Sequence, residues 1–349
     1  MKPQSLFRST IAGFIALACL LPLGRAAWAQ DPVCSDVAER GYLTILTVNI
    51  LYSETRNRNS RLTELVDFIT SGDVAGEVAP LPDVILLQEV VGGFLADTSS
   101  SARDVQRLLS RRGVDFELRS ATEFGLPGVL TVGNATLSRC DIVLRLVGFL
   151  PPATEIEVAG QPVPVPRNVL MTRIAVPGFG GVNVYNTHLC AFCPVEQRGR
   201  QLEALLDFVD DVENFLPGED PVVLGGDFNI SIFEDGEREL YDRLVASGDP
   251  REDFIDAYVA AAGEGLEQLC DPGGEPYPDE HCTYGVTPLS DPDIGRIDYV
   301  FTRNFGPVPS GMVLFNPLID PAEPTVSDHA GVLVRVELPA SGSEREAFW

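Results

Sequence analysis

The sequence predicts a single large α/β domain, and three observations carry that reading. Short apolar runs rich in β-branched residues recur along the chain, at residues 43–51, 84–87 and 222–224, as buried strands do. Segments with apolar residues on helical spacing lie between them, as in Leu62, Leu65, Val66 and Ile69. The chain has 349 residues, enough for one sizeable core once its first segment is set aside.

That first segment, residues 1–29, reads as a secretory signal. Lys2 and Arg8 form a basic start, residues 11–23 are apolar but too few to span a bilayer, and Ala27-Trp28-Ala29 is a small-x-small cleavage site. Cys19 follows Ala16-Leu17-Ala18, a poor lipoprotein signal, so cleavage near Ala29 is expected in place of lipid anchoring. The expected layout is a removed leader (1–29), a short N-terminal segment (30–42), the main domain (43–338) and a flexible tail (339–349), in a protein that is secreted or periplasmic.

Charge and cysteines bear on this. The formal net charge is −26, and Lys2 is the only lysine, so every basic residue after the leader is Arg. A strongly acidic surface keeps a protein soluble and opposes long-range capture of a polyanion, although a local Arg cluster can still dominate a groove. With Cys19 gone, six cysteines remain, an even number that predicts disulfides in an exported chain. Nearness in sequence favours Cys190–Cys193 and Cys270–Cys282, which leaves Cys34–Cys140. The rival reading of Cys190-x-x-Cys193 is a redox or zinc pair, but zinc needs a second close pair and Cys270 and Cys282 are too far apart to make one.

Taken in order, residues 43–51 (LTILTVNIL) form a strand with Asn49 near its end, an amide that calls for a partner. Residues 61–69 are an amphipathic helix. Residues 82–90 (PDVILLQEV) are a strand ending in Gln88-Glu89, and 102–112 a helix on Val105, Leu108 and Leu109. Residues 128–139 read as strand, turn at Gly133-Asn134, strand. Arg139 stands at the far end; Arg suits a bidentate phosphate contact, though a surface ion pair is its commoner use. The proline-rich stretch 151–166 is a hairpin or rim loop. Strands at 168–176 and 181–186 follow, the second running into Thr187-His188-Leu189, and then the longest helix, 194–214, with Leu202, Leu205, Leu206 and Val209 on one face. In residues 221–230 (PVVLGGDFNI) a strand meets two glycines, then Asp227 and Asn229, which on extended backbone point to the same side. A plain turn is the alternative there; the functional reading has Gly225 and Gly226 letting backbone and a phosphate come close. Helices near 237–246 and 253–262, a Pro-, Gly- and Asp-rich loop (270–295), a strand at 295–302 containing Asp298, and Ser327-Asp328-His329 before a last strand complete the chain. No internal repeat is visible.

Apolar strands thus carry Asn49, Glu89, His188, Asp227 with Asn229, Asp298, and Asp328-His329 at or near their ends. Of the three histidines, two belong to this set and His281 does not. A lone histidine after a strand is more often structural. However, each buried polar group left without a partner costs about 1–3 kcal/mol, so this many strand-end polar residues are expected to converge on one rim.

The ordered set TVN (47–49), QE (88–89), NTHL (186–189), GGDFN (225–229), RIDYVF (296–301) and SDH (327–329) resembles the endonuclease/exonuclease/phosphatase superfamily over nearly the whole main domain. The resemblance implies an α+β, deoxyribonuclease-I-like fold: two packed, mostly antiparallel β-sheets in a four-layer α/β/β/α sandwich. It implies a phosphoric ester hydrolase using Mg²⁺, with Mn²⁺ or Ca²⁺ as alternatives. Glu89, Asn49 and Asp328 match metal-site positions, and His329 matches the base that deprotonates water, oriented by Asp298. Asp227 and Asn229 match the pair that positions the nucleophile and steadies phosphoryl charge. His188 matches the second histidine of the deoxyribonuclease and sphingomyelinase branches, which binds phosphate or helps the leaving group; the apurinic-site repair branch uses a tyrosine there. An oxygen-rich set suits a hard cation, and a His–Asp pair fixes a tautomer and stabilises the imidazolium.

The implied substrate is a phosphodiester, either a phospholipid head group or nucleic acid, and the chain is expected to be a monomer without a stable protein partner. Thr283-Tyr284 before GRIDYVF resembles the sphingomyelinase branch, and that reading brings transient membrane-surface contact, although no exposed Trp- or Phe-rich hairpin stands out. The alternative is an extracellular nuclease, favoured by residues 133–139 and by a groove of Arg139, Arg167, Arg198 and Arg296. A third reading, a non-catalytic binding or toxin module, sits poorly with the complete motif set.

Overall fold

The computed structural model describes residues 32–53, 57–71, 81–158, 161–216, 219–246, 253–274, 279–290 and 293–339; the leader, and the tail from residue 340 on, lie outside the described residues. Two sheets of six strands are stacked. The first holds β1 (Tyr42–Asn49), β2 (Val84–Gly92), β3 (Glu117–Leu126), β4 (Leu130–Ser138), β11 (Ser310–Leu314) and β12 (Gly331–Glu337), in the order β11-β12-β1-β2-β4-β3. The second holds β5 (Asp141–Val158), β6 (Gln161–Val176), β7 (Gly180–His188), β8 (Val222–Asp227), β9 (Ile255–Asp256) and β10 (Asp298–Arg303), in the order β5-β6-β7-β8-β10-β9.

The strands read as continuous apolar runs because both of their faces are covered. In β1, Leu43 and Ile45 enter the layer between the sheets, while Leu46 and Val48 pack outward beneath α2 (Arg58–Ser71) and α3 (Ser101–Arg111). In the second sheet Val223 and Val300 face inward. Leu224, Tyr299 and Phe301 face outward against α4 (Val195–Phe215) and α5 (Glu237–Val245). The result is the expected four-layer sandwich. Each sheet is antiparallel except for one central pair, β1 with β2 and β7 with β8, whose crossovers are α2 and α4. The two halves therefore share a topology that their sequences do not show. α1 (Pro32–Arg40) places Cys34 and Val37 in the inter-sheet core, and α6 (Ala257–Ala262) starts from Asp256, whose carboxylate caps two amides.

Two local expectations change. The turn expected at Gly133-Asn134 is absent: β4 runs straight through, and its turn precedes it, around Pro127-Gly128. Asn134 offsets part of the cost of a buried amide by donating from Nδ2 to Glu123 and to the Asn168 side chain at 3.0 and 3.1 Å. The glycines of β8 serve packing, where a phosphate approach was expected. A Cβ on Gly225 would lie 2.6 Å from Leu86 Cδ1 of the facing sheet. Gly226 has φ 142°, and a Cβ there would lie 1.9 Å from the Thr187 carbonyl oxygen of the neighbouring strand. Gly226→Ala is therefore expected to cost about 3 kcal/mol through backbone strain and overpacking, read as a lowered denaturant midpoint; an unchanged midpoint would refute the contact.

Disulfides join Cys34–Cys140, Cys190–Cys193 and Cys270–Cys282. Among the described residues no helix is long and apolar enough to cross a membrane.

Candidate active site

The site grows out of the inter-sheet layer. In β1, Asn49 keeps the phase of Leu43 and Ile45; in β7, Asn186 and His188 keep the phase of Val182 and Val184. In β8 and β10, Asp227 and Asp298 keep the phase of Val223 and Val300. At one rim the layer thus turns from apolar to polar. Strand register does the rest: His188 lies beside Asp227, and Asp227 beside Asp298, in one row across β7, β8 and β10. Asn49 approaches from the facing sheet and donates its Nδ2–H to Asp227 Oδ2 at 3.0 Å.

Glu89 reaches the site by a different device. Strand alternation would send it outward, beneath the helices. A bulge between Leu87 and Val90 and a left-handed backbone (φ 57°) turn it, and its carboxylate accepts the Tyr52 amide at 2.7 Å. Asn229 is also left-handed (φ 52°); its amide donates to Asp227 Oδ1 at 3.0 Å and its Nδ2–H to the Leu189 carbonyl at 3.2 Å. His329 arrives just ahead of β12. Its Nδ1 lies 2.9 Å from Asp298 Oδ2 and its Nε2 3.7 Å from Asp227 Oδ2.

The long loop before β10 braces this end. Cys270–Cys282 pins it, and Thr283 Oγ1 then accepts the amides of Ile297 and Asp298 at 3.0 and 3.2 Å. The Tyr284 ring lies 4.9 Å from that of His329, and Thr287 Oγ1 donates to the Ser327 carbonyl at 2.7 Å. Asn49, His188, Asp227, Asp298 and His329 form a buried floor, with Glu89, Asn229 and Asp328 partly exposed at the mouth.

The electrostatics separate the two histidines. For His329, burial works against charge, but the Asp298 and Asp227 carboxylates outweigh it and raise the imidazole to about 10. For His188, burial first, then the positive charges of Arg167 and His329, push it well below its ordinary value. His188 is therefore neutral, and its neighbours fix the tautomer: Nδ1 accepts from Arg167 Nη1 at 3.0 Å, leaving Nε2–H to donate to Asp227 Oδ2 at 3.3 Å. Burial, reinforced by the Asp298 and Glu89 charges against the pull of His329, raises Asp227 to about 7. Burial likewise raises Glu89.

These residues fit a divalent cation. Asp298 Oδ1 is buried without a hydrogen-bond partner among the described residues, and oxygens of Asp227 and Asp298 lie with a His329 nitrogen within 4.8 Å of one another, so the floor can take positive charge. Because Asp298 is already bonded to His329, the ligands left for a cation are Glu89 and Asp328 at the mouth and Asn49 of the floor. With Glu89 nearby and Asp328 close enough to act electrostatically on both Glu89 and His329, negative charge exceeds the local positive charge. The oxygen donors suit Mg²⁺ or a similar hard ion.

One expected site residue does not join this group. Arg139 bonds Asp83 at 2.6 Å and Asp36 at 3.4 Å, at the N-terminal end of β2 and about 16 Å of strand from Glu89. It anchors α1 and is not placed to contact phosphate. The expected arginine groove dissolves with it. Arg198 pairs with Glu237 and the Cys190 carbonyl, and Arg296 with Asp256 at 2.7 Å, all buried. Arg167 alone reaches the site, held by Glu123 at 3.0 Å. Glu123, which sequence reasoning missed, stands on a strand whose other polar residues are exposed or half-buried, so nothing in its neighbourhood marks it. Gln88 and Asn186 link the sheets beneath the floor through a 2.8 Å bond.

Comparison with known proteins agrees with this geometry. Residues 46–329 match the model of the Endonuclease/Exonuclease/phosphatase family, and the chain belongs to that family. Its members are hydrolases of phosphoester bonds and typically use a divalent metal. Among solved structures, an endonuclease/exonuclease/phosphatase family protein from Leptotrichia buccalis C-1013-b is 20% identical, with a TM-score of 0.59, over 85% of this chain and 100% of that one. A family protein from Bacteroides thetaiotaomicron is 18% identical, with a TM-score of 0.58, over 87% and 98%. Truncated Caenorhabditis elegans TDP2 is 18% identical, with a TM-score of 0.54, over 85% and 97%. At these identities the likeness is one of fold. No curated protein matches.

Proposed function

We propose that this protein is an exported, Mg²⁺-dependent phosphodiester hydrolase that acts on phospholipid head groups, in the manner of a sphingomyelinase or phospholipase C. The observation that carries this choice is the scarcity of positive charge around the site. All four arginines that would form a nucleic-acid groove are held in ion pairs, only Arg167 of the four reaches the site, and the net charge is −26. A duplex needs a track of cations along its backbone, whereas a single phosphodiester needs only Arg167 and a metal. Export is part of the proposal, and three disulfides support it.

In the proposed reaction Asp298 holds His329 by Nδ1. The flanking carboxylates keep the imidazole charged while the site holds no other cation, and it is the neutral form, with Nε2 free, that takes a proton from water as the water oxygen bonds to phosphorus. The bond from phosphorus to the head-group or lipid oxygen breaks, the departing alkoxide takes a proton from solvent water, and His329 returns its own proton to solvent. Asp227 and Asn229 orient the water, and His188 and Arg167 bind phosphoryl oxygens, His188 by turning its Nε2–H from Asp227 to the substrate. A divalent cation at Glu89, Asn49 and Asp328 would offset phosphoryl charge and supply positive charge that otherwise falls to His329.

The assay is direct. Purified protein with Mg²⁺ is expected to turn over sphingomyelin and bis(p-nitrophenyl) phosphate, and EDTA to abolish both. No metal-dependent turnover on either would defeat the proposal, and cleavage of plasmid DNA alone would replace it with the nuclease.

A further inference from the structure

Two uncharged segments leave the active-site rim side by side. Residues 90–96 (VVGGFLA) continue β2 past Glu89, and residues 124–132 (FGLPGVLTV) form the tip of the β3–β4 hairpin. They are clipped together: the Phe94 amide donates to the Gly128 carbonyl at 3.0 Å and the Leu95 amide to the Val129 carbonyl at 2.9 Å. The buried Arg58 guanidinium donates to the Ala96 carbonyl from beneath, so the short turn Phe94–Ala96 is held from both sides. Yet its apolar side chains face water: Phe94 is 83% exposed, Leu126 68%, Leu95 62% and Val129 44%. A rigid mount that presents bulky apolar groups outward is what an interface requires, because little order is lost on contact.

We infer that this paired tip is a docking surface for a lipid bilayer of net-neutral head groups, and the inference rests on the phospholipid reading above. Continuity with the site is the first argument. Tyr52, whose amide binds Glu89, sets its ring edge-on to Phe124 at 6.4 Å, and Phe124 opens the hairpin tip. A bilayer meeting the tip would therefore lie against the same rim that binds phosphate. Charge is the second argument. Neither segment carries a charged residue, and the chain's net charge of −26 with no lysine beyond residue 2 gives no attraction to an anionic surface. Insertion of apolar side chains at the interface needs none.

The test reads binding separately from turnover. Full-length protein is sedimented with phosphatidylcholine vesicles and with phosphatidylserine vesicles, alongside Phe94→Ser/Leu95→Ser and Leu126→Ser. Because these side chains are exposed, the variants are expected to fold, as a melting curve will show. Wild type is expected to bind phosphatidylcholine in a salt-insensitive way, and the double variant to bind at least about tenfold less, with turnover of bis(p-nitrophenyl) phosphate unchanged. Wild type left in the supernatant, equal binding by the variants, preference for phosphatidylserine, or a concentration-dependent dimer abolished by the substitutions would each overturn the inference. Vesicle binding without any phosphodiester turnover would sink the proposed function and leave the docking surface standing.

Discussion

Replacing His329 by alanine is expected to lower turnover by roughly 10²–10⁴-fold while the fold persists. The imidazole is 5% exposed, at the floor of the site, with Nδ1 fixed 2.9 Å from Asp298 and the Tyr284 ring 4.9 Å from its own. The other histidine of that floor is not available as base: His188 donates its one N–H to Asp227 and its other nitrogen accepts from Arg167. Alanine also leaves Asp298 without its partner, at a cost of about 1–3 kcal/mol. His329→Gln separates the two effects, since an amide can restore a hydrogen bond to Asp298 without accepting a proton. Both variants should lose activity, and glutamine should recover most of the lost stability in a denaturant titration. If glutamine restored turnover as well, His329 would be a structural residue and a different base would have to be found.

How much of this was legible beforehand depended on how each residue reaches the site. Asn49, His188, Asp227 and Asp298 were readable because each breaks an apolar strand in the same phase as its inward-facing neighbours. Period-two alternation alone thus fixed the side on which they emerge. Glu89 was readable only by motif, since alternation points it the wrong way and the bulge that corrects it leaves no clear trace in sequence. Arg139 misled because its partners are remote in sequence: Asp83 and Asp36 belong to the start of β2 and to α1. Glu123 was obscure for the same reason, and Arg167 was readable only as one of four groove arginines, because its partner stands on a distant strand. The turn at Gly133-Asn134 failed because tertiary contacts override a turn-prone dipeptide once its amide finds partners inside. The apolar docking tip was invisible because its two halves lie some thirty residues apart and become one patch only through backbone hydrogen bonds.

Loss of Cys34–Cys140 is expected to be the most damaging of the covalent changes. Its partners are 106 residues apart in sequence, and closing a loop of that size is worth about 4–5 kcal/mol in the chain-entropy account. The bond also does what the noncovalent contacts of α1 cannot do alone. A nine-residue helix is marginal by itself, and this one is held by Cys34 and Val37 in the inter-sheet core and by the Arg40–Asp83 pair at 2.9 Å. Because Arg139 adjoins Cys140 and bonds both Asp83 and Asp36, the disulfide and the ion-pair cluster hold α1 at one point on the first sheet. The double variant Cys34→Ala/Cys140→Ala should melt roughly 10 °C lower than wild type. Cys190–Cys193, with a separation of only 3, should contribute far less by the same account. Its removal should instead disturb the residues just after His188, raising KM for bis(p-nitrophenyl) phosphate with little change in melting temperature. Equal melting temperatures for wild type and the Cys34/Cys140 variant would mean that the core alone secures α1 and that the long cross-link adds nothing to the folded state.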